Sequence, residues 1–163
     1  MKNNMRVGIG YDIHPMEKGR KLMLGGVHIP YDSGLVGWSD ADVLTHAIID
    51  ALLGAAAMGD IGRHFPPGHP EYRDFYSLVL LEEISDKIVS AGWRIVNIDA
   101  TVVAEEPVLS DYIDHMREAL SQTLTINISQ VSIKASTTNG LGLIGQGEGI
   151  AAYAVAMLEV ENH

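Results

Sequence analysis

The stretch Arg6-Val-Gly-Ile-Gly-Tyr-Asp-Ile-His14 reads as a β-strand, with residues 6–12 alternating well enough to separate two faces. Its two glycines, Gly8 and Gly10, mark a close backbone approach or a bulge. Asp12 and His14 stand at i and i+2, so their side chains leave the strand on the same face. Downstream, Lys21–Leu24 and Val27–Ile29 are broken by Gly25-Gly26 and closed by Pro30, the pattern of a short hairpin. Ser39-Asp40 then offers an N-cap and acids for a helix whose apolar residues Val43, Leu44, Ala47, Ile48, Ala51 and Leu52 recur at helical spacing. Gly59 is expected to stop that helix.

Residues 61–73, IGRHFPPGHPEYR, carry three prolines and are expected to form a long polar loop. A second helix is expected over about Tyr76–Ala91 and a buried strand over Arg94–Ala104. A helix after Pro107 runs to about Thr125, Gln130–Ser136 is another strand, and a last helix is expected over Gly147–Glu161. Strands and helices thus alternate over one α+β domain, residues 1–163. Its mixed sheet has about four strands, with helices stacked on one face.

Charge narrows the range of partners. The 163 residues carry 21 acidic and 11 basic side chains, a net charge of −10, which argues against a nucleic-acid or anionic-membrane binder. The absence of cysteine excludes disulfides, thiolate metal sites and a cysteine nucleophile. The longest apolar stretch, Ala51–Met58, is too short to span a bilayer, and the N-terminus has no apolar signal-peptide region. A cytoplasmic protein is expected.

Four groups of residues can carry chemistry. Asp12, His14 and His46 form a possible three-ligand zinc set with one open position, as catalytic zinc requires. On spacing alone a chance D-x-H and a core histidine are the commoner case. Asp50, one turn beyond His46, is either an acceptor orienting its ring or an exposed helix acid. Asp60, within Gly59-Asp-Ile-Gly62, either holds a ligand hydroxyl or makes a turn, and the turn is the commoner case. Ser136-Thr-Thr-Asn-Gly140 is either a phosphate cradle after a strand or a polar loop. His28, His64, His69, His115 and His163 have no evident partner and are expected on surfaces or loops.

Taken in order, these blocks resemble the 2-C-methyl-D-erythritol 2,4-cyclodiphosphate synthase family. The resemblance rests on Arg6–His14, Leu24-Gly-Gly-Val-His-Ile-Pro30, Ser39-Asp-Ala-Asp-Val-Leu-Thr-His46, Asp50–Ala57 and Gly59–Gly62. It continues through Phe65-Pro66, Lys134-Ala-Ser-Thr-Thr138, Leu141-Gly142 and Gly147-Glu-Gly-Ile-Ala151. It implies a homotrimer with sheets facing the threefold axis and active sites between subunits. It implies zinc on Asp12, His14 and His46, and a second divalent ion, Mg²⁺ or Mn²⁺, between nucleotide phosphates. Asp60, Ile61 and Gly62, with Ser39 and Phe65, would meet the methylerythritol side of the substrate. Ala104, Pro107, Ser136, Thr137 and Thr138 would line the cytidine-diphosphate side, with Thr137 near the reacting groups. The implied reaction is an internal phosphate attack that expels CMP, the work of a phosphorus–oxygen lyase in non-mevalonate isoprenoid biosynthesis.

Several positions depart from the family pattern. Trp38 replaces a histidine in the loop before Ser39-Asp40, and Asn139 replaces a glutamate ligand of the second metal. Val108 replaces a lysine, Gln146 an arginine, and Pro67 an aspartate. Asn139 keeps an oxygen but loses the charge that favours a hard cation. Gln146 and Leu143 weaken the case for a diphosphate site on the trimer axis. These changes leave a second reading, a zinc-binding trimer with altered or lost catalysis acting as a binding or regulatory subunit. A third, a zinc-assisted phosphoester hydrolase, has no candidate base in the chain.

Overall fold

The computed structural model describes residues 5–161, and its first strand, β1 (Met5–Lys18), runs well past the expected residue 12. The glycines of β1 make a close approach. A side-chain carbon on Gly8 would run into the Ala51 carbonyl, and one on Gly10 into the Ala47 carbonyl. Helix α1 (Val43–Ala56) therefore lies directly on the strand, presenting the small residues Ala47, Ala51 and Ala55. Because α1 runs from Ala47 beside Gly10 to Ala51 and Ala55 beside Gly8, its first turn points toward Asp12 and His14.

The sheet has five strands in the order β4-β1-β7-β5-β6. Here β4 is Ser33–Leu35, β5 Trp93–Val103, β6 Val131–Ser136 and β7 Gly149–Val160. Among the described strands of this sheet only the β5–β6 pair is parallel. Strands β2 (Leu22–Leu24) and β3 (Val27–Ile29) form the expected hairpin. The expected last helix over Gly147–Glu161 is wrong: β7 fills that place and supplies the fifth strand. Its alanines favour a helix by intrinsic propensity, but Ile150, Ala152, Ala154, Ala156 and Leu158 alternate inward beneath α1. Small residues are needed there for the same reason as at Gly8 and Gly10.

Helix α3 (Ser77–Ser90) matches its expected span, while α4 (Ile113–Thr123) begins later than expected, after a 3₁₀ turn at Ser110–Tyr112. The proline-rich segment also holds more structure than a loop: α2 (Ile61–His64) and a 3₁₀ turn at Pro70–Tyr72. The N-cap of α1 is Asp42, not Ser39-Asp40. Its buried carboxylate accepts from Thr45 N, from Thr45 Oγ1, and from the amides of Gly25 and Gly26 in the hairpin turn. Ala57, in a left-handed conformation, ends α1 before Gly59 is reached.

The helices and the hairpin cover one face of the sheet. The opposite face presents Val7, Ile9, Tyr11 and Ile13 from β1 and Tyr153 and Val155 from β7, all exposed. Among the described residues no helix is long and apolar enough to cross a membrane.

Candidate metal centre and adjoining cavities

Asp12 and His14 leave β1 on the face that Gly8 and Gly10 share, at the N-terminal end of α1, and His46 reaches them from the first turn of that helix. Asp12 Oδ2 lies 3.1 Å from His14 Nε2 and 3.0 Å from His46 Nδ1. One ligand atom from each of the three residues falls within 4.8 Å of the others. His14 Nδ1 donates to the Val36 carbonyl at 2.6 Å, so its Nε2 presents a lone pair to the centre. His46 Nε2 is turned the other way, 2.8 Å from Ser77 Oγ and 3.2 Å from Ser39 Oγ.

Carboxylate and imidazole lone pairs therefore converge on one point, an arrangement that demands a positive charge between them. Burial pushes the Asp12 carboxyl up, but the facing imidazoles outweigh it and hold the group well below the usual carboxylate range. Its hydrogen bond to Asp12 raises the His14 pKa in turn, against burial. A divalent cation would satisfy the same three atoms. The donor set fits a metal, and Asp12, His14 and His46 would hold it.

The centre opens into a cavity of about 270 Å³ lined by Trp38, Ser39, Asp50, Ile61, Gly62, Phe65 and Pro67 besides the three ligands. Asp50 does not orient His46. Its carboxylate accepts from the Ile61 amide at 2.7 Å and pins the start of α2 to the cavity wall. Burial, opposed by that bond, pushes its pKa up. Asp60 caps α2 by accepting from Arg63 N at 3.0 Å and stands exposed beside Gly62, outside the lining. Trp38 ties two loops together: its indole N–H donates to the His69 carbonyl at 3.0 Å and its own carbonyl accepts from Asp74 N at 2.9 Å.

A second cavity, of about 520 Å³, lies at the C-terminal ends of the parallel pair β5–β6. Ala104, Pro107, Ser136 and Thr137 line it together with Val108, Leu109, Ser110 and Asp114. Thr138 is turned away, its amide and hydroxyl both directed at the Glu105 carboxylate at 3.2 and 3.4 Å. Asn139 adopts a left-handed backbone conformation (φ +54°) and hydrogen bonds Thr137 Oγ1 through its amide at 3.2 Å. Gln146 caps the short helix α5 (Gly142–Gly145), and Leu143 is exposed.

Of the unpartnered histidines, His28 and His115 are exposed as expected. His64 donates to the Met58 carbonyl at 3.0 Å and His69 lies 3.3 Å from Glu71, while His163 falls outside the described residues. Sequence reasoning missed Ser77, Asp40, Val36 and Glu105. Ser77 is 31 positions from His46, and no local spacing links the two.

Comparisons with known proteins converge. A model of the YgbB family matches residues 5–159. The chain is 58% identical over 154 residues to 2-C-methyl-D-erythritol 2,4-cyclodiphosphate synthase of Moorella thermoacetica, covering 94% of each chain. It is 56% identical over 155 residues to the synthase of Syntrophomonas wolfei, covering 95% of this chain and 99% of that one. Among solved structures, the bifunctional IspDF of Campylobacter jejuni superposes with a TM-score of 0.94 at 37% identity. The match covers 97% of this chain and 43% of that longer one. The Plasmodium falciparum IspF–CDP complex superposes with a TM-score of 0.86 at 33% identity, covering 99% and 100% of the two chains.

Proposed function

This chain belongs to the YgbB family, and from that premise we propose that it is a cyclodiphosphate synthase. It converts 4-diphosphocytidyl-2-C-methyl-D-erythritol 2-phosphate to 2-C-methyl-D-erythritol 2,4-cyclodiphosphate and releases CMP. The observation that carries this reading is the lone-pair triad of Asp12, His14 and His46 opening into a cavity, in a chain so similar to named synthases over nearly its full length.

The reaction is a phosphorus–oxygen lyase step with a simple balance. An oxygen of the 2-phosphate forms a bond to the β-phosphorus, the bond from that phosphorus to the CMP oxygen breaks, and CMP leaves as the phosphate monoester. Such transfers ask for positioning and charge neutralisation more than for covalent chemistry. Asp12, His14 and His46 would hold zinc, which would supply positive charge to the phosphoryl transfer. Ser39, Ile61, Gly62 and Phe65 bound the methylerythritol pocket, with Asp60 at its rim for a substrate hydroxyl. Ala104, Pro107 and Ser136 would form the cytidine pocket, and Thr137 would hold the diphosphate, whose charge a second divalent ion, Mg²⁺ or Mn²⁺, would neutralise. Thr138 supports that pocket from behind through Glu105.

We read the two cavities as halves of one site, contributed by different subunits. The exposed apolar face of β1 and β7 supports a homotrimer in which the sheets pack around the axis. We read residues 1–163 as one domain of a cytoplasmic enzyme in non-mevalonate isoprenoid biosynthesis, with no nucleic-acid or membrane partner. Trp38, Val108, Asn139 and Gln146 leave the triad and both cavity walls in place, so catalysis is favoured over a non-catalytic trimer or a hydrolase. Incubation with the CDP-linked substrate, followed by ³¹P NMR, tests the reading. The cyclic diphosphate and CMP should appear together. An open-chain phosphate product would indicate hydrolysis, and an unchanged spectrum across a metal titration would indicate a non-catalytic protein.

A further inference from the structure

Behind His46, on the side away from Asp12, lies a hydrogen-bonded chain with a defined direction. Ser77 is fully buried at the first position of α3. Its amide donates to Asp40 Oδ2 at 2.9 Å, and its hydroxyl donates to Asp40 Oδ1. A carboxylate accepts only, so the Ser77 hydroxyl proton is committed to Asp40 and its oxygen lone pairs are left for His46. At 2.8 Å, His46 Nε2 must then be the donor. Asp40 is itself fixed, its amide donating to the Phe75 carbonyl at 3.1 Å.

We propose that Ser77, oriented by Asp40, is a positioning residue that locks His46 in the Nε2–H tautomer and so presents its bare Nδ1 to the metal. The assignment rests on the zinc reading above and names what orients one of its three ligands. It also explains why a second hydroxyl close by does not spoil the site. Ser39 Oγ is 3.2 Å from the same nitrogen and carries a proton that it is free to donate. Ser77 and Asp40 keep Nε2 protonated, so Ser39 is not needed there as a donor and its hydroxyl is left to the cavity. Carboxylates that act on a ligating imidazole in this way strengthen it as a donor, and here the effect passes through one serine.

Two substitutions separate this role from simple packing. Ser77→Ala removes the acceptor of the Nε2 proton. Asp40→Asn is isosteric, but its amide group donates to Ser77 Oγ, which turns the serine hydroxyl toward Nε2 and favours the wrong tautomer. Both variants should bind zinc ~10–100-fold more weakly in competition with a chelating dye. Ser85→Ala, which removes another buried hydroxyl of α3 away from the centre, should bind zinc as the wild type does. In the zinc-loaded wild type, ¹⁵N NMR should show a slowly exchanging His46 Nε2–H that Ser77→Ala loses. If Ser77→Ala folds poorly, Asp40→Asn decides the matter. Zinc affinity within about twofold of wild type in the folded variants overturns the assignment while leaving the zinc reading intact. Failure of the wild type to take up zinc overturns the zinc reading and this assignment with it.

Discussion

The cavity at Asp12 and the cavity at Ala104 are built on different plans. The one at Asp12 is walled by ligating side chains whose orientations are fixed from behind: His14 by the Val36 carbonyl, and His46 by Ser77. The one at Ala104 lies at the ends of β5 and β6, where Pro107, Val108 and Leu109 face Ser110, Asp114, Ser136 and Thr137, and among the described residues it holds no cluster of metal-ligating side chains. On the proposed function the difference follows from what each would hold. A metal and phosphates require side-chain lone pairs placed to a fraction of an ångström, whereas a flat nucleobase is held by shape and by main-chain hydrogen bonds. On that reading charge would be neutralised at the metal centre and not by a basic surface, which reconciles a chain of net charge −10 with a polyanionic substrate.

The largest effect should come from emptying the first cavity of its metal. His46→Ala should abolish bound zinc in elemental analysis and lower turnover by ~10²–10³-fold or more. Full retention of zinc would break the contrast at its root. The second cavity should respond in KM and not in metal content. Ala104→Leu, at a buried position in its wall, should raise KM for the CDP-linked substrate by about tenfold with zinc unchanged. If it lowered zinc content instead, the two cavities would not be separable.

Smaller effects sharpen the boundary between the two plans. Asn139→Glu restores a carboxylate beside Thr137 and should lower the Mg²⁺ or Mn²⁺ concentration for half-maximal turnover by a few-fold. An unmoved metal requirement would show that charge at this position is not what limits the second ion. Smallest of all is the ion pair of Lys134 with Asp99, on the strands that carry the second cavity. The Lys134 ammonium holds the Asp99 carboxyl below its ordinary pKa, so the folded state favours the ionised form. Its stabilisation is present above the unfolded carboxylate pKa and is lost as pH falls through the lowered folded value. Because both side chains are half exposed, Asp99→Asn should cost about 0.5 kcal/mol or less at neutral pH in urea unfolding, and nothing in strong acid.

The first cavity was also the more legible of the two in the sequence. Gly8 and Gly10 announced a close approach, and the period of a strand put Asp12 and His14 on one face. The helix that approaches is the one carrying His46. What stayed hidden had no local signature. Ser77 and Asp40 meet only through the tertiary fold, and the role of Asp50 depends on where α2 begins. Asp42 outcompeted Ser39 as a cap because it also satisfies the two hairpin-turn amides, a contact 16 and 17 residues away in sequence. The alanine-rich β7 was misread because its composition favours a helix while its alternation, and the pressure of α1 above it, dictate a strand.

On the proposed function these unlike cavities complete each other across a subunit boundary. Co-expression of His46→Ala subunits with Thr137→Ala subunits, each inactive alone, measures this directly. Random assembly of trimers from equal amounts should restore about a quarter of wild-type turnover, because one site in four pairs an intact His46 with an intact Thr137 of its neighbour. Mixed trimers that remain as inactive as either parent would contradict it.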